Sequence, residues 1–217
     1  MKHELKTILF DFDGVVIDSE PLHAKAKKII LDRYKINYPA SIFEEFKGKT
    51  DKIFFDFVTG TLCDQSQSSE LLQNSKKAAL EEIIVELKLI DGFLAFFEKV
   101  KARKIQTALV SSTSLYSLAL VDNLYHISGM FDLVITEVDT DLHKPYPDPY
   151  LKALEKLSAE INTSIVIEDS PNGIRSAKSA GCFVYAITSS FPEQTLLEAG
   201  ADKVVGSFND LTKVLDL

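Results

Sequence analysis

Four short apolar runs, each closing on polar residues, set the tightest limit on what this chain can fold into. Thr7-Ile8-Leu9-Phe10 runs into Asp11, and Thr107-Ala108-Leu109-Val110 into Ser111, Ser112 and Thr113. Leu133-Val134-Ile135 runs into Thr136 and Glu137, and Ile165-Val166-Ile167 into Glu168 and Asp169. Continuous runs rich in β-branched residues suit strands buried on both faces of a parallel sheet. Phe183-Val184-Tyr185-Ala186-Ile187 and a short run at Lys203-Val204-Val205 extend the series. Helical spacings lie between them: Phe93, Phe96, Phe97 and Val100; Leu115, Leu118, Ala119 and Asp122; Tyr150, Leu151, Leu154 and Leu157; and Ile174, Ala177 and Ala180, stopped by Gly181. Strand alternating with helix predicts an α/β fold with right-handed crossovers. Ligands in such sheets sit beyond the carboxyl ends of the strands, where these polar residues collect.

Residues 18 to 85 read differently, with helical patterns and no convincing strand. Ile29, Ile30 and Tyr34 fall on one helix, Ile53, Phe54, Phe57 and Val58 on a second, and Leu72, Ala79, Ile83 and Leu87 on a third. A helical insertion after the first strand is the simplest account. With 217 residues, 46% of them hydrophobic, the chain is long enough to bury about 70% of its unfolded surface. The 24 Lys and Arg against 32 Asp and Glu leave a formal charge of −8, which argues against a nucleic-acid or membrane-surface binder. Anionic small molecules remain possible ligands, because a metal or a few local cations reverse the field inside a pocket. Two widely separated cysteines, Cys63 and Cys182, fit a reduced cytoplasmic protein without a zinc motif. The polar N-terminus does not read as a signal peptide, and no apolar stretch approaches the ~20 residues of a membrane span.

The chemistry-bearing residues cluster at the strand ends. Asp11 and Asp13, past the first strand, are suited to hold a hard cation, or to divide the roles of nucleophile and general acid/base. The alternative is that Asp13 only opens a turn with Gly14. Glu168 and Asp169 are placed to complete an oxygen-only site, for which Mg²⁺ suits better than zinc; Asp169 or Ser170 before Pro171 is also good helix-capping chemistry. Lys144 lies in a loop stiffened by Pro145, Pro147 and Pro149, a means of placing one ammonium among four acids. Ser111 and Ser112 offer hydroxyls and backbone N–H groups for a phosphate, or ordinary capping of the next helix.

The order and spacing of these residues resemble the haloacid dehalogenase superfamily over nearly the whole chain. Asp11-Phe12-Asp13-Gly14 is similar to that family's first motif, Ser111 to its second, Lys144 to its third and Glu168-Asp169 to its fourth. Lys144-Pro145 with Pro147-Asp148-Pro149, and Glu168 through Ile174, are the most specific matches. They resemble the subgroup with a helical cap that includes β-phosphoglucomutase and sugar-phosphate phosphatases. The resemblance implies a Rossmann-like parallel sheet core, residues 1–17 and 88–217, with a small all-α cap domain inserted at 18–87. It implies that Asp11 attacks phosphorus, and that Asp13 protonates the leaving oxygen and later activates water. Mg²⁺ is then held by Asp11, Asp13 through its backbone carbonyl, and Asp169, with Glu168 adjacent; Ser111, Ser112 and Lys144 bind the phosphoryl group.

Within the cap, His23, Gly48, Lys49, Lys52 and Lys76 are the substrate-binding candidates. Each lysine taken alone also reads as part of a solvated face. Gly48 resembles the centre of the cap specificity loop, but where β-phosphoglucomutases carry an Arg three residues later this chain has Asp51. The expectation is therefore a monomeric, Mg²⁺-dependent phosphatase of a small phosphorylated metabolite, with a sugar phosphate the favoured class, working through an aspartyl phosphate. The alternative is a β-phosphoglucomutase-type phosphohexomutase. A metal-free dehalogenase would leave Asp13 and the fourth motif idle, and a non-catalytic binding protein would not need all four motifs.

Overall fold

The computed structural model describes residues 4–46, 49–63 and 67–217. In chain order, β1 is Thr7–Phe10, β2 Ile17–Asp18, α1 Glu20–Arg33, α2 Ile42–Glu45, α3 Asp51–Phe57, α4 Ser69–Ile83 and β3 Lys88–Leu89. Then come α5 Phe93–Ala102, β4 Gln106–Val110, α6 Leu115–Tyr125, β5 Leu133–Ile135, α7 Asp148–Leu157, β6 Ser164–Glu168, α8 Pro171–Ser179, β7 Phe183–Ile187, α9 Glu193–Glu198, β8 Lys203–Val205 and α10 Phe208–Leu215. The chain divides into two compact units, residues 1–18 with 88–217 and residues 19–87.

The larger unit is built on a six-stranded sheet in the order β5-β4-β1-β6-β7-β8, with every pairing parallel. All six apolar runs are strands, because a strand covered on both faces needs apolar side chains at every position rather than at alternate ones. Successive side chains of β1 point to opposite faces. Phe10 packs edge-on against Phe93 and Phe96 of α5 and against Phe131, with Phe208 of α10 completing that layer. Leu9 faces the other way, into a core with Val110, Ile135, Tyr150 and Ala153 of α7, and Ile174 and Ala177 of α8.

Strand order fixes where a ligand can bind. From β1 the chain moves outward to β4 and β5, then returns to the opposite side of β1 with β6, β7 and β8. A reversal of this kind opens a crevice at the carboxyl ends of the strands that flank it. Phe10 is in register with Leu109 on one side and Ile167 on the other, so Asp11 emerges between Val110 and Glu168.

The smaller unit holds α1 to α4 around a core of Ile30, Leu31, Ile42, Phe54, Phe55, Val58, Leu72 and Ala79. It contains no strand among its described residues. At the two points where the chain passes between the units, Ile17 pairs with Leu89 and Asp18 with Lys88 in a short antiparallel ladder. Three residues placed on helical faces by spacing are exposed instead: Ile53 at 51%, Leu115 at 53% and Leu151 at 44%. Phe54, Leu118 and Tyr150 on the same helices do turn inward, so the buried stripe is narrower than the apolar one.

Candidate active site

Asp11, at the end of β1, is 8% exposed, and Glu168 and Asp169, at the end of β6, are 0% and 3% exposed. One carboxylate oxygen from each lies within 4.8 Å of the others. Two glycines make room for this. Gly14 has φ +76°, and a Cβ there would stand 1.8 Å from Asp169 Oδ2; a Cβ on Gly173 would stand 1.6 Å from Glu168 Oε1. The acids are thus packed into spaces that only glycine leaves open.

Lys144 enters this cluster from the proline-rich loop before α7. Its ammonium donates to Asp11 Oδ1, to Glu168 Oε1 at 2.7 Å and to the Val110 carbonyl at 3.0 Å. The loop is tied down by the buried Ser176 hydroxyl of α8, which donates to the Tyr146 carbonyl. The Tyr150 hydroxyl donates to Glu168 Oε1 at 2.8 Å, and Lys144 Nζ also lies 4.9 Å from the centre of its ring. Glu168 Oε2 accepts from the backbone N–H groups of Asp169 and Ser170 and from the Ser170 hydroxyl. Both oxygens of Glu168 are therefore occupied by protein donors, and its geometry is that of a holder for Lys144.

The charge balance of the cluster is lopsided. Burial, with Glu168 and Asp13 nearby, pushes the Asp11 carboxyl up to about 7 even though Lys144 pulls it down. Burial, with Asp11 and Glu168, raises Asp169 as well, against a hydrogen bond from Ser190. Burial works against the Lys144 ammonium, but Asp11 and Glu168 outweigh it and hold that group above its ordinary value. Buried carboxylates in excess of cations strongly disfavour their own ionisation. The donor set is all oxygen, buried and anionic, with neither His nor Cys in it, which fits a hard divalent cation such as Mg²⁺.

Asp13 is not a member of that three-carboxylate set, though its charge acts on Asp11 and Asp169. Its Oδ2 accepts a 2.6 Å hydrogen bond from the Thr113 hydroxyl. The turn expected at Asp13-Gly14 is also present: Gly14 N–H donates to the Ile17 carbonyl, and Asp13 bridges to Ile17. At the end of β4, Ser111 is buried and Ser112 exposed. Ser111 Oγ accepts from Thr113 N–H at 2.9 Å. Neither serine caps the next helix, as the simpler reading of them required. Ser114 does, accepting from Ser117 N–H, because only there does the backbone leave the extended region and enter α6. At the start of α8 the cap is Ser170, accepting from Gly173 N–H, which leaves Asp169 uncommitted to capping.

In the helical unit the candidates separate. Lys76 is 2% exposed and donates to Asp51 Oδ2 at 2.8 Å, with His23 Nδ1 at 2.6 Å; Lys27 lies 3.5 Å from Asp51 Oδ1. The solvated-face reading fails for Lys76, which occupies the buried stripe of α4 between Leu72 and Ala79. It holds for Lys52, whose exposed side chain pairs with Asp56, while Lys49 lies over the Phe46 ring at 5.1 Å. Gly48 lies outside the described residues. Thr113, Tyr150 and Ser190 are site residues that spacing did not assign. Thr113 alone left a sequence signal, as the third member of the polar run after β4.

A parallel α/β sheet with buried acids and one lysine at its switch point is an arrangement suited to phosphoryl transfer. The chain belongs to the haloacid dehalogenase-like hydrolases, whose family model matches residues 8–187. It is 30% identical over 211 residues to a phosphorylated carbohydrates phosphatase of Thermotoga maritima, covering 93% of this chain and 94% of that one. It is 26% identical to the fructose-1-phosphate phosphatase YqaB of Escherichia coli, over 80% of this chain and 92% of that protein. Among solved structures, a β-phosphoglucomutase-like protein of Thermotoga maritima superposes with a TM-score of 0.86 at 27% identity, covering 98% and 99% of the two chains. No described helix is long and apolar enough to cross a membrane.

Proposed function

We propose that this chain is a Mg²⁺-dependent phosphatase of a small phosphorylated carbohydrate, with Asp11 as nucleophile and Asp13 as general acid and base. The observation that carries the reading is the buried set Asp11, Glu168 and Asp169 with Lys144 donating into it. The named activities of the carbohydrate-phosphate phosphatases it resembles support the substrate class.

In the first half-reaction an Asp11 carboxylate oxygen forms a bond to phosphorus while the bond from phosphorus to the sugar oxygen breaks. Asp13 gives that oxygen a proton, and the alcohol leaves. In the second, water attacks the phosphorus of phospho-Asp11 as Asp13 takes its proton; the bond from phosphorus to the Asp11 oxygen breaks, inorganic phosphate is released and the Asp11 carboxylate is restored. Asp11 and Asp169 would hold Mg²⁺, together with the Asp13 backbone carbonyl. When bound, the metal neutralises the carboxylate excess and polarises the phosphoryl oxygens. Lys144 stabilises charge on the transferring group, and Glu168 with Tyr150 keeps its ammonium pointing there. Ser111 and Ser112 would supply the remaining phosphoryl contacts. A carboxylate approaching an anionic phosphate needs this screening, and general acid/base help from Asp13 is worth about 10²–10⁴ in rate.

A phosphohexomutase shares the first half-reaction but returns the phosphoryl group to another hydroxyl of the sugar. Asp51 weighs against it: this carboxylate ties up Lys76 and Lys27 instead of adding a cation for a second phosphate. A ³¹P NMR time course with β-glucose 1-phosphate, Mg²⁺ and a trace of β-glucose 1,6-bisphosphate separates the two. Growth of inorganic phosphate is expected, and accumulation of glucose 6-phosphate in its place would establish the mutase.

A further inference from the structure

We propose that Thr113 is a positioning residue for the general acid, holding Asp13 so that its proton is presented from one defined oxygen. The inference rests on the proposed role of Asp13 as acid and base. Its basis is the hydrogen bond from Thr113 Oγ1 to Asp13 Oδ2 at 2.6 Å, short enough for a hydroxyl donating to a carboxylate.

The two residues are one hundred positions apart in sequence, yet both sit at carboxyl ends of adjacent strands, β1 and β4. Thr113 is itself fixed, because its N–H is bound by the hydroxyl of Ser111, which is 3% exposed. A threonine hydroxyl has one proton to give. Given to Asp13 Oδ2, it marks that oxygen as the acceptor, and the proton that Asp13 delivers to a leaving group resides on Oδ1. Without the hydroxyl, the two carboxyl oxygens are no longer distinguished on this side, and the acid spends less time in the productive orientation.

Leaving groups provide the readout. kcat/KM reports steps only up to departure of the alcohol. p-Nitrophenolate departs with little need of a proton, phenolate needs one more, and a benzyl alkoxide needs one most. Wild type, Thr113→Ser, Thr113→Val and Asp13→Asn are compared on p-nitrophenyl, phenyl and benzyl phosphate with Mg²⁺. The deficit of Thr113→Val is expected to grow about tenfold or more from the first substrate to the last, with Asp13→Asn showing a steeper trend of about 10²-fold or more. Thr113→Ser, which keeps the hydroxyl, is expected to restore near wild-type values on all three. An equal deficit of Thr113→Val on all three substrates, beside a graded deficit of Asp13→Asn, would overturn the role of Thr113. A flat deficit of Asp13→Asn would instead remove the acid assignment on which the inference rests.

Discussion

Glu168 belongs to the fourth motif, yet its side chain spends both oxygens on Lys144, Tyr150, Ser170 and two backbone N–H groups. An acid so fully hydrogen-bonded is fixed in place by protein donors, and it is fixed beside the Lys144 ammonium. Cys182 is the contrasting case, 1% exposed, with a thiol that burial pushes up to about 11. The thiolate is the reactive form, so the raised value means that Cys182 stays protonated and inert through neutral pH and gains reactivity only as pH climbs toward 11. Cys63 is only partly buried. Treatment of the native protein with iodoacetamide at about pH 8, below the raised thiol value, is expected to label Cys63 and spare Cys182 until denaturant is added, as read by peptide mass spectrometry. Native labelling of Cys182 would contradict the packing around it.

The helix α4 raises the corresponding question for an element. Ser68 caps it by accepting from Leu71 N–H, and its inward stripe of Leu72, Lys76 and Ala79 carries a lysine where an apolar residue is the usual choice. Burial opposes ionisation of Asp51, but the charge and hydrogen bond of Lys76, with Lys27 and His23, hold its carboxyl below the ordinary range. Burial also lowers Lys76, against the pull of Asp51, so the pair gains on the carboxylate side and costs on the ammonium side. Asp51→Ala leaves a buried ammonium short of its partner. It is expected to destabilise the protein by about 2–3 kcal/mol, less than the ~3–5 kcal/mol for a fully buried pair because Asp51 keeps a third of its exposure. Asp51→Ala with Lys76→Met should recover most of that loss in urea unfolding, since the more deeply buried of the two ammonium groups is gone and only Lys27 has lost its partner. The sign with pH follows from the lowered carboxyl: its contribution is present above the unfolded value near 3.9 and fades as pH falls through the folded one. Equal costs of Asp51→Ala at neutral pH and in strong acid would contradict the pairing. The sequence pattern showed α4 but not the burial of Lys76, because a charged residue among apolar ones reads as solvated until its partners, 25 and 53 residues away, are brought to it.

Across the fold, what was legible is what local chemistry writes into the chain. β1, β4, β5 and β6 are continuous apolar runs because both faces of the sheet are covered, and the polar residues that end them mark the switch point. Asp11, Lys144, Glu168 and Asp169 were legible as a group through their motifs, and the sheet order explains why those motifs converge. The short helices α2 and α9 escaped, having too few turns for a periodic stripe, and α10 escaped although Phe208, Leu211 and Leu215 carry one. So did the work of Tyr150 and Thr113, whose partners are set by tertiary packing alone. The proposed chemistry joins one side chain and one metal, and a single assay tests both: p-nitrophenyl phosphate turnover by the wild type, by the wild type in EDTA before and after Mg²⁺ is restored, and by Asp11→Asn. Asp11→Asn keeps the shape of the side chain and removes one of several crowded negative charges, so circular dichroism should report an unchanged fold. Turnover is expected to disappear with EDTA, return with Mg²⁺, and fall by more than about 10³-fold in Asp11→Asn. Wild-type turnover by Asp11→Asn, or undiminished turnover in EDTA, would contradict the proposed chemistry.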